Sequence, residues 1–260
     1  MTILKTWKRI GETPLQAMTR TLKDHKQEDA KACYAGRLDP MAQGIMVILV
    51  NQEYFCLQDY YNSCTKTYRF QAILGISTSS YDAMGNIQDV TEVTSDQALK
   101  YNSAMLKIKG KINQPFPPCS SVRYKGKPLW WHAKHGSLPS ILPFKEREIY
   151  CIKSLNSPVE SCLKDYRKLC VGDIQDVENL SPGVFNTEQI IKEWKSLNSK
   201  IKIWKLQYEV TVSAGTYVRS LVKDLGQQFN IPAHAFRITR ISSCVEKSDF
   251  VGIKPCDLKL

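Results

Sequence analysis

The chain has 260 residues, 43% of them apolar and 23% charged. That is enough for one full-sized hydrophobic core and excludes an intrinsically disordered tail. No window approaches the ~18 consecutive apolar residues of a membrane span, and 36 Lys+Arg against 25 Asp+Glu leave a net charge of +11, a balance that favours polyanionic partners without bearing on fold.

In chain order, Thr13-Pro14-Leu15-Gln16 reads as a helix start. Thr13 caps free N–H groups, Pro14 sits where its missing donor costs nothing, and Gln16 completes a capping box. Leu15, Met18 and Leu22 share a helical face. Gly36 to Pro40 breaks into a loop, and the apolar run Gly44 to Val50 predicts a strand buried on both faces. From Lys66 to Leu74, Tyr68, Phe70, Ala72 and Leu74 alternate with their neighbours, which predicts a strand with one covered face. Ser77 to Gly85 is turn chemistry, and the prolines of Gln114 to Ser121 force an extended path.

Tyr124, Trp130, Trp131 and His132 then lie among Arg123, Lys125, Lys127 and Lys134. Rings interleaved with cations suit a nucleic-acid face. A packed aromatic cluster with snorkelling lysines produces the same pattern, and for the tryptophans alone packing is the preferred reading. Residues 155–205 carry seven acidic and eight basic side chains, so almost all the excess charge lies elsewhere and the stretch reads as an insertion. Within it, Thr187 to Leu197 predicts a helix with Ile190, Ile191 and Trp194 on one side. Leu206 to Val212 alternates as a half-buried strand ended by Ala214-Gly215, and Val218, Leu221, Val222, Leu225 and Phe229 follow helical spacing behind a Thr216 cap.

Nine cysteines, an odd number with no Cys-x-x-Cys, and no apolar leader segment predict free thiols in a reducing compartment. His132 and His135 are the only close histidine pair, too few ligands for a four-coordinate metal site.

Asp39, in Gly36-Arg-Leu-Asp-Pro-Met-Ala-Gln-Gly44, is a carboxylate on a rigid loop. Such a group is a candidate nucleophile or base, although loop aspartates more often satisfy nearby N–H groups. Arg219 falls in a helix's first turn, where the macrodipole favours anions, so it is expected to answer a buried acid. An opposite charge within ~4–6 Å would keep Asp39 ionised.

These segments together resemble the TruB-type tRNA pseudouridine synthases, which isomerise a T-loop uridine of tRNA. Lys8-Arg-Ile-Gly-Glu-Thr13 is similar to the family's opening Lys-Pro-x-Gly-x-Thr, with Arg9 for the proline. Gly36 to Gly44 is similar to its catalytic Gly-x-Leu-Asp-Pro-x-Ala-x-Gly, and Lys66-Thr-Tyr68 to its Lys-x-Tyr. Gly75 to Gly85, the proline loop with the Tyr-x-Gly-Lys-Pro-Leu segment behind it, and Gly215-Thr-Tyr-Val-Arg-Ser-Leu221 follow in family order, and Ala233 to Arg240 lies where the family places a base-packing leucine.

The resemblance implies an α+β pseudouridine synthase fold: a mixed, largely antiparallel sheet with flanking helices and a central cleft, in one catalytic domain over 1–260. It implies a catalytic set of Asp39, Tyr68 and Arg219, and substrate contacts from Tyr34, Lys66, Asp82, Tyr217, Ile238 and Arg240. It also implies action on the uridine at tRNA position 55 after base flipping, the T-arm as partner, no cofactor, metal or membrane, a monomer, and a cytoplasmic site with nucleus or mitochondrion as alternatives. Two departures stand out. Cys33-Tyr34-Ala35-Gly36 replaces the family's Gly-His-x-Gly, so that histidine's RNA-positioning role is vacant or falls to Tyr34; and about twenty residues follow Arg240, leaving no room for a C-terminal PUA domain. The rival expectations are a non-catalytic RNA-binding protein or tRNA-folding chaperone on this scaffold, and the same isomerisation on rRNA or mRNA.

Overall fold

The computed structural model describes residues 3–243. Its centre is a nine-stranded sheet in which one path runs β1 (Ile3–Lys8), β3 (Gln43–Val50), β13 (Ala233–Ser243), β4 (Lys66–Leu74), β12 (Lys202–Val212), β10 (Phe144–Ser154) and β7 (Gly110–Pro115). Two short strands pair beside it, β2 (Ala32–Ala35) on β3 and β11 (Val159–Cys162) on β12. Only β13 with β3 is parallel, so the sheet is mixed and largely antiparallel, as expected. Two small hairpins stand apart, β5 (Ile76–Thr78) with β6 (Ile87–Val90) and β8 (Arg123–Tyr124) with β9 (Lys127–Pro128).

The period-2 pattern sorts side chains between two helical layers. Phe70, Ala72 and Leu74 of β4 and Leu206, Tyr208 and Val210 of β12 point to one face. There they meet Tyr101 and Met105 of α3 (Ser95–Lys107) and Leu221, Val222 and Leu225 of α7 (Val218–Gln228). Ile73, Ile203 and Phe236 point to the other face, against Tyr166, Cys170, Ile174 and Val177 of α5 (Leu163–Leu180) and Ile190 and Trp194 of α6 (Thr187–Ser196). Residues 155–205 thus supply the layer that closes the second face.

α1 (Pro14–Asp24) begins with the expected capping box: Thr13 Oγ1 accepts from Gln16 N, and Gln16 Oε1 from Thr13 N. It packs Leu22 on Leu4, Ile48 and Val50. Two six-residue helices complete the set, α2 (Gln58–Ser63) and α4 (Leu129–Lys134). The cap of α7 is Tyr217, not Thr216, whose hydroxyl instead donates to Ser213 O at 2.8 Å. Arg219 stays in the first turn. Cys33, Cys119, Cys151, Cys162 and Cys170 are free thiols, whereas Cys64 is disulfide-bonded, against the all-thiol expectation. Among the described residues no helix is long and apolar enough to cross a membrane.

Candidate active site

The loop carrying Asp39 is gripped from two sides by buried cations. Lys8 Nζ donates to Ala42 O at 2.6 Å, Arg9 O at 3.1 Å and Pro40 O at 3.3 Å. Burial draws its ammonium down to about 7, against the pull of the Asp39 and Glu12 charges. Arg240 donates through Nε to Ile45 O at 2.7 Å, through Nη2 to Gly36 O at 3.1 Å and through Nη1 to Arg37 O at 3.2 Å. Gly36 has φ +77°, and a Cβ there would meet Arg240 Nη1 at 3.1 Å. Backbone carbonyls held on both flanks leave the aspartate little freedom.

Arg219 is 2% exposed and reaches three segments at once. Nη1 donates to Ser80 O at 2.7 Å and Nη2 to Cys119 O at 3.3 Å. Nε lies 2.9 Å from Asp39 Oδ2 and 3.5 Å from Asp82 Oδ2 but has no aligned hydrogen-bond acceptor, so the pairing there is one of charge. Burial opposes the guanidinium's charge, yet Asp39 and then Asp82 hold it above its ordinary value.

The two carboxylates differ in surroundings. Asp82 is buried; its Oδ1 accepts from Ser80 Oγ at 2.5 Å and Met84 N at 3.0 Å, and burial pushes its carboxyl up against the pull of Arg219. The Asp39 side chain is 35% exposed. It lines a recess with Asp82, Met41, Phe236, Arg237 and Ile238. A bulge aims the last of these: register slips between Phe236 and Thr239, Arg237 takes φ +47°, and Ile238 lands on the same face as Ala235.

The remaining expected residues divide. Tyr217 is within electrostatic reach of Asp39 and Arg219, its phenol raised by burial first. Its backbone is fixed by Gln114, whose Oε1 accepts from Tyr217 N at 2.8 Å and whose Nε2 donates to Tyr217 O at 3.0 Å. Tyr68 is half-buried on β4 beside the main core and is not among the residues lining the recess. Lys66 is buried, with Nζ donating to Asn62 O and Cys64 O at 2.7 Å and Tyr61 O at 3.0 Å, so its charge serves the end of α2. Tyr34 lies in a separate pocket with Cys33, Arg37, Gln58 and Asn62. Lys8 stands outside the expected site residues; its targets are backbone carbonyls, which leave no mark in side-chain patterns.

Both ring nitrogens of His132 are engaged, with Ser137 Oγ at 3.0 Å and Tyr124 O at 2.9 Å, and His135 stacks on Trp131. Among the described residues no cluster of three or more metal-ligating side chains occurs. Trp130 is 48% exposed, which places it on the surface rather than in the core.

Residues 22–166, more than half the chain, match the model of the TruB family pseudouridylate synthase (N terminal domain). The chain is 25% identical to tRNA pseudouridine synthase 4 of Saccharomyces cerevisiae, covering 88% of this chain and 64% of that protein. To tRNA pseudouridine synthase B of Lactobacillus delbrueckii subsp. bulgaricus it is 30% identical, covering 82% and 59% respectively. It therefore spans about three fifths of the length of these relatives. The solved Cbf5-Nop10-Gar1 complex contains a chain of the same fold, at TM-score 0.54 and 17% identity over 93% of this chain and 48% of that one. With Asp39 and Arg219 paired where the motifs place them, the chain belongs to the TruB family of pseudouridylate synthases.

Proposed function

We propose that this chain isomerises a uridine of the tRNA T-loop, position 55, to pseudouridine, with Asp39 as nucleophile. The observation that carries the reading is the asymmetry of the Asp39–Arg219 pair: the cation is sealed inside while the carboxylate faces the recess. A counter-charge locked behind an accessible carboxylate keeps an anion available for attack without occupying the space in front of it. The names of the relatives, all tRNA pseudouridine synthases, support the class of substrate.

The reaction breaks the N1–C1′ bond, turns the base and joins C5 to C1′; the proton lost from C5 is balanced by one gained at N1, so composition is conserved. A base inside a folded loop must be extruded first, at a cost of a few kcal/mol. Ionised Asp39 attacks the sugar or the ring to release the base. Arg219 pairs with Asp39 and orients it, Tyr217 and Ile238 pack the uracil, and Tyr68 stacks on it and assists the final loss of the C5 proton. Lys66 and Arg240, whose cations are spent on backbone carbonyls, act by holding the loops. Tyr34 takes up RNA beside the Asp39 loop.

The test is incubation of purified protein with an unmodified tRNA transcript and, in parallel, with unmodified rRNA and mRNA, followed by mapping of pseudouridine at single-nucleotide resolution and by a refolding assay on the tRNA. Product confined to the T-loop uridine is expected. Product only in rRNA or mRNA would move the target elsewhere, and RNA refolding without product would favour a chaperone.

A further inference from the structure

Arg147 on β10 is a half-buried cation without an acid. No ion pair or hydrogen bond among the described residues includes its guanidinium. The acids beside it on the strand are turned to the other face, where Glu146 pairs with Lys111 at 2.9 Å and Glu148 adds to the field on the same lysine. Arg147 instead lies with its Cζ 5.8 Å over the ring of Phe116. Its other boundary is Gly215, where a Cβ would stand 2.9 Å from Nη2 and 3.1 Å from Cζ; at φ +73° only glycine leaves room for the fork.

A guanidinium lying between a ring and a backbone without an acid, with partial burial lowering its basicity, costs free energy in the unliganded protein. An anion entering its open side offsets that cost. Tyr217 links Arg147 to the chemistry: its ring meets Phe116 edge-on at 6.0 Å, and its phenol senses Asp39 and Arg219 as well as Arg147. Arg147 therefore shares Tyr217 as a neighbour with the proposed nucleophile.

We propose that Arg147 binds the backbone phosphate flanking the target uridine through its two-pronged guanidinium, anchoring the strand while the base enters the recess. This inference rests on the reading of RNA as substrate. The experiment measures binding of an unmodified T-arm stem-loop by the full chain carrying Asp39→Asn, between about 50 and 200 mM salt. Adding Arg147→Gln is expected to weaken binding about tenfold at the low-salt end and to reduce the slope of log K against log salt by about 1. Arg147→Lys, which keeps the charge and loses the fork, is expected to restore the slope and only part of the affinity. A purely structural arginine would leave the slope unchanged in both variants, and that result would overturn the proposal while RNA binding by the parent chain left the functional reading intact. Absence of RNA binding by the parent chain would remove that reading and this inference together.

Discussion

Two carboxylates face one guanidinium, and their surroundings separate their tasks. Asp82 is sealed and bonded to its own turn, while Asp39 opens to solvent. On the proposed mechanism Asp82 acts through Arg219, whose charge it shares with Asp39. Asp82→Asn retains the acceptor for Ser80 and Met84 but removes the charge, so the fold should persist while kcat falls about tenfold or more with KM nearly unchanged, as expected for a group felt mainly in the transition state. Steady-state kinetics check this; an unchanged kcat would show that Asp82 is only a turn residue. The ion pair itself was legible in the sequence, because Arg219 in the first turn of a helix conflicts with the macrodipole and asks for an acid. Lys8, Lys66 and Arg240 were not legible in the same way. Their acceptors are carbonyl oxygens, and every residue type supplies one of those.

At the scale of elements, the site depends on the one parallel strand pair of the sheet among the described residues, β13 against β3. Gly44 allows it: with φ +124°, an added Cβ would sit 2.2 Å from Arg240 O and 2.6 Å from Arg240 N. Both are main-chain atoms that cannot swing aside. Gly44→Ala should therefore destabilise the protein by several kcal/mol, on the order of 3–5, from overpacking and left-handed strain together. Urea unfolding measures it, and a loss below about 1 kcal/mol would mean the two strands separate easily. The strands themselves were readable from alternation, as β12 shows, with Ile203 the one residue of its buried run that faces the other layer. The bulge at Arg237 left no sequence signal, since Phe236-Arg-Ile238 continues an ordinary alternating pattern. Nor did composition show where residues 155–205 go. An amphipathic helix such as α5 is half polar by construction, so its near-neutral charge says nothing about the sheet face it covers.

For the whole molecule, the second layer contains a buried titratable group. His234 is 0% exposed, its Nδ1 2.7 Å from Ile76 O and its Nε2 2.6 Å from the Tyr166 hydroxyl. A carbonyl can only accept, so Nδ1 carries the proton and Nε2 accepts from Tyr166. Burial draws the imidazole down to about 4 from an ordinary value of 6.5, the Ile76 bond opposing. With the folded value depressed, the unfolded chain binds the proton first as pH falls. Stability is complete above about 6.5 and declines down to about 4, by roughly 3 kcal/mol at 1.36 kcal/mol per pH unit. His234→Gln should be less stable at pH 7 and lose this pH dependence, which denaturant titrations at pH 7 and at pH 4 to 5 resolve; an unchanged decline would assign the acid sensitivity to other groups.

The net charge of +11 belongs to this scale too, because a charge of that sign draws any polyanion, the proposed RNA substrate included, toward the whole surface. On the proposed function, selection of the base falls to the recess in front of Asp39. The most direct measurement is single-turnover formation of pseudouridine in an unmodified tRNA transcript by the unsubstituted chain and by Asp39→Asn, with RNA affinity measured in parallel. Product is expected from the first, none above background from the second, and affinities within a few-fold of each other. Comparable product from Asp39→Asn would contradict that expectation.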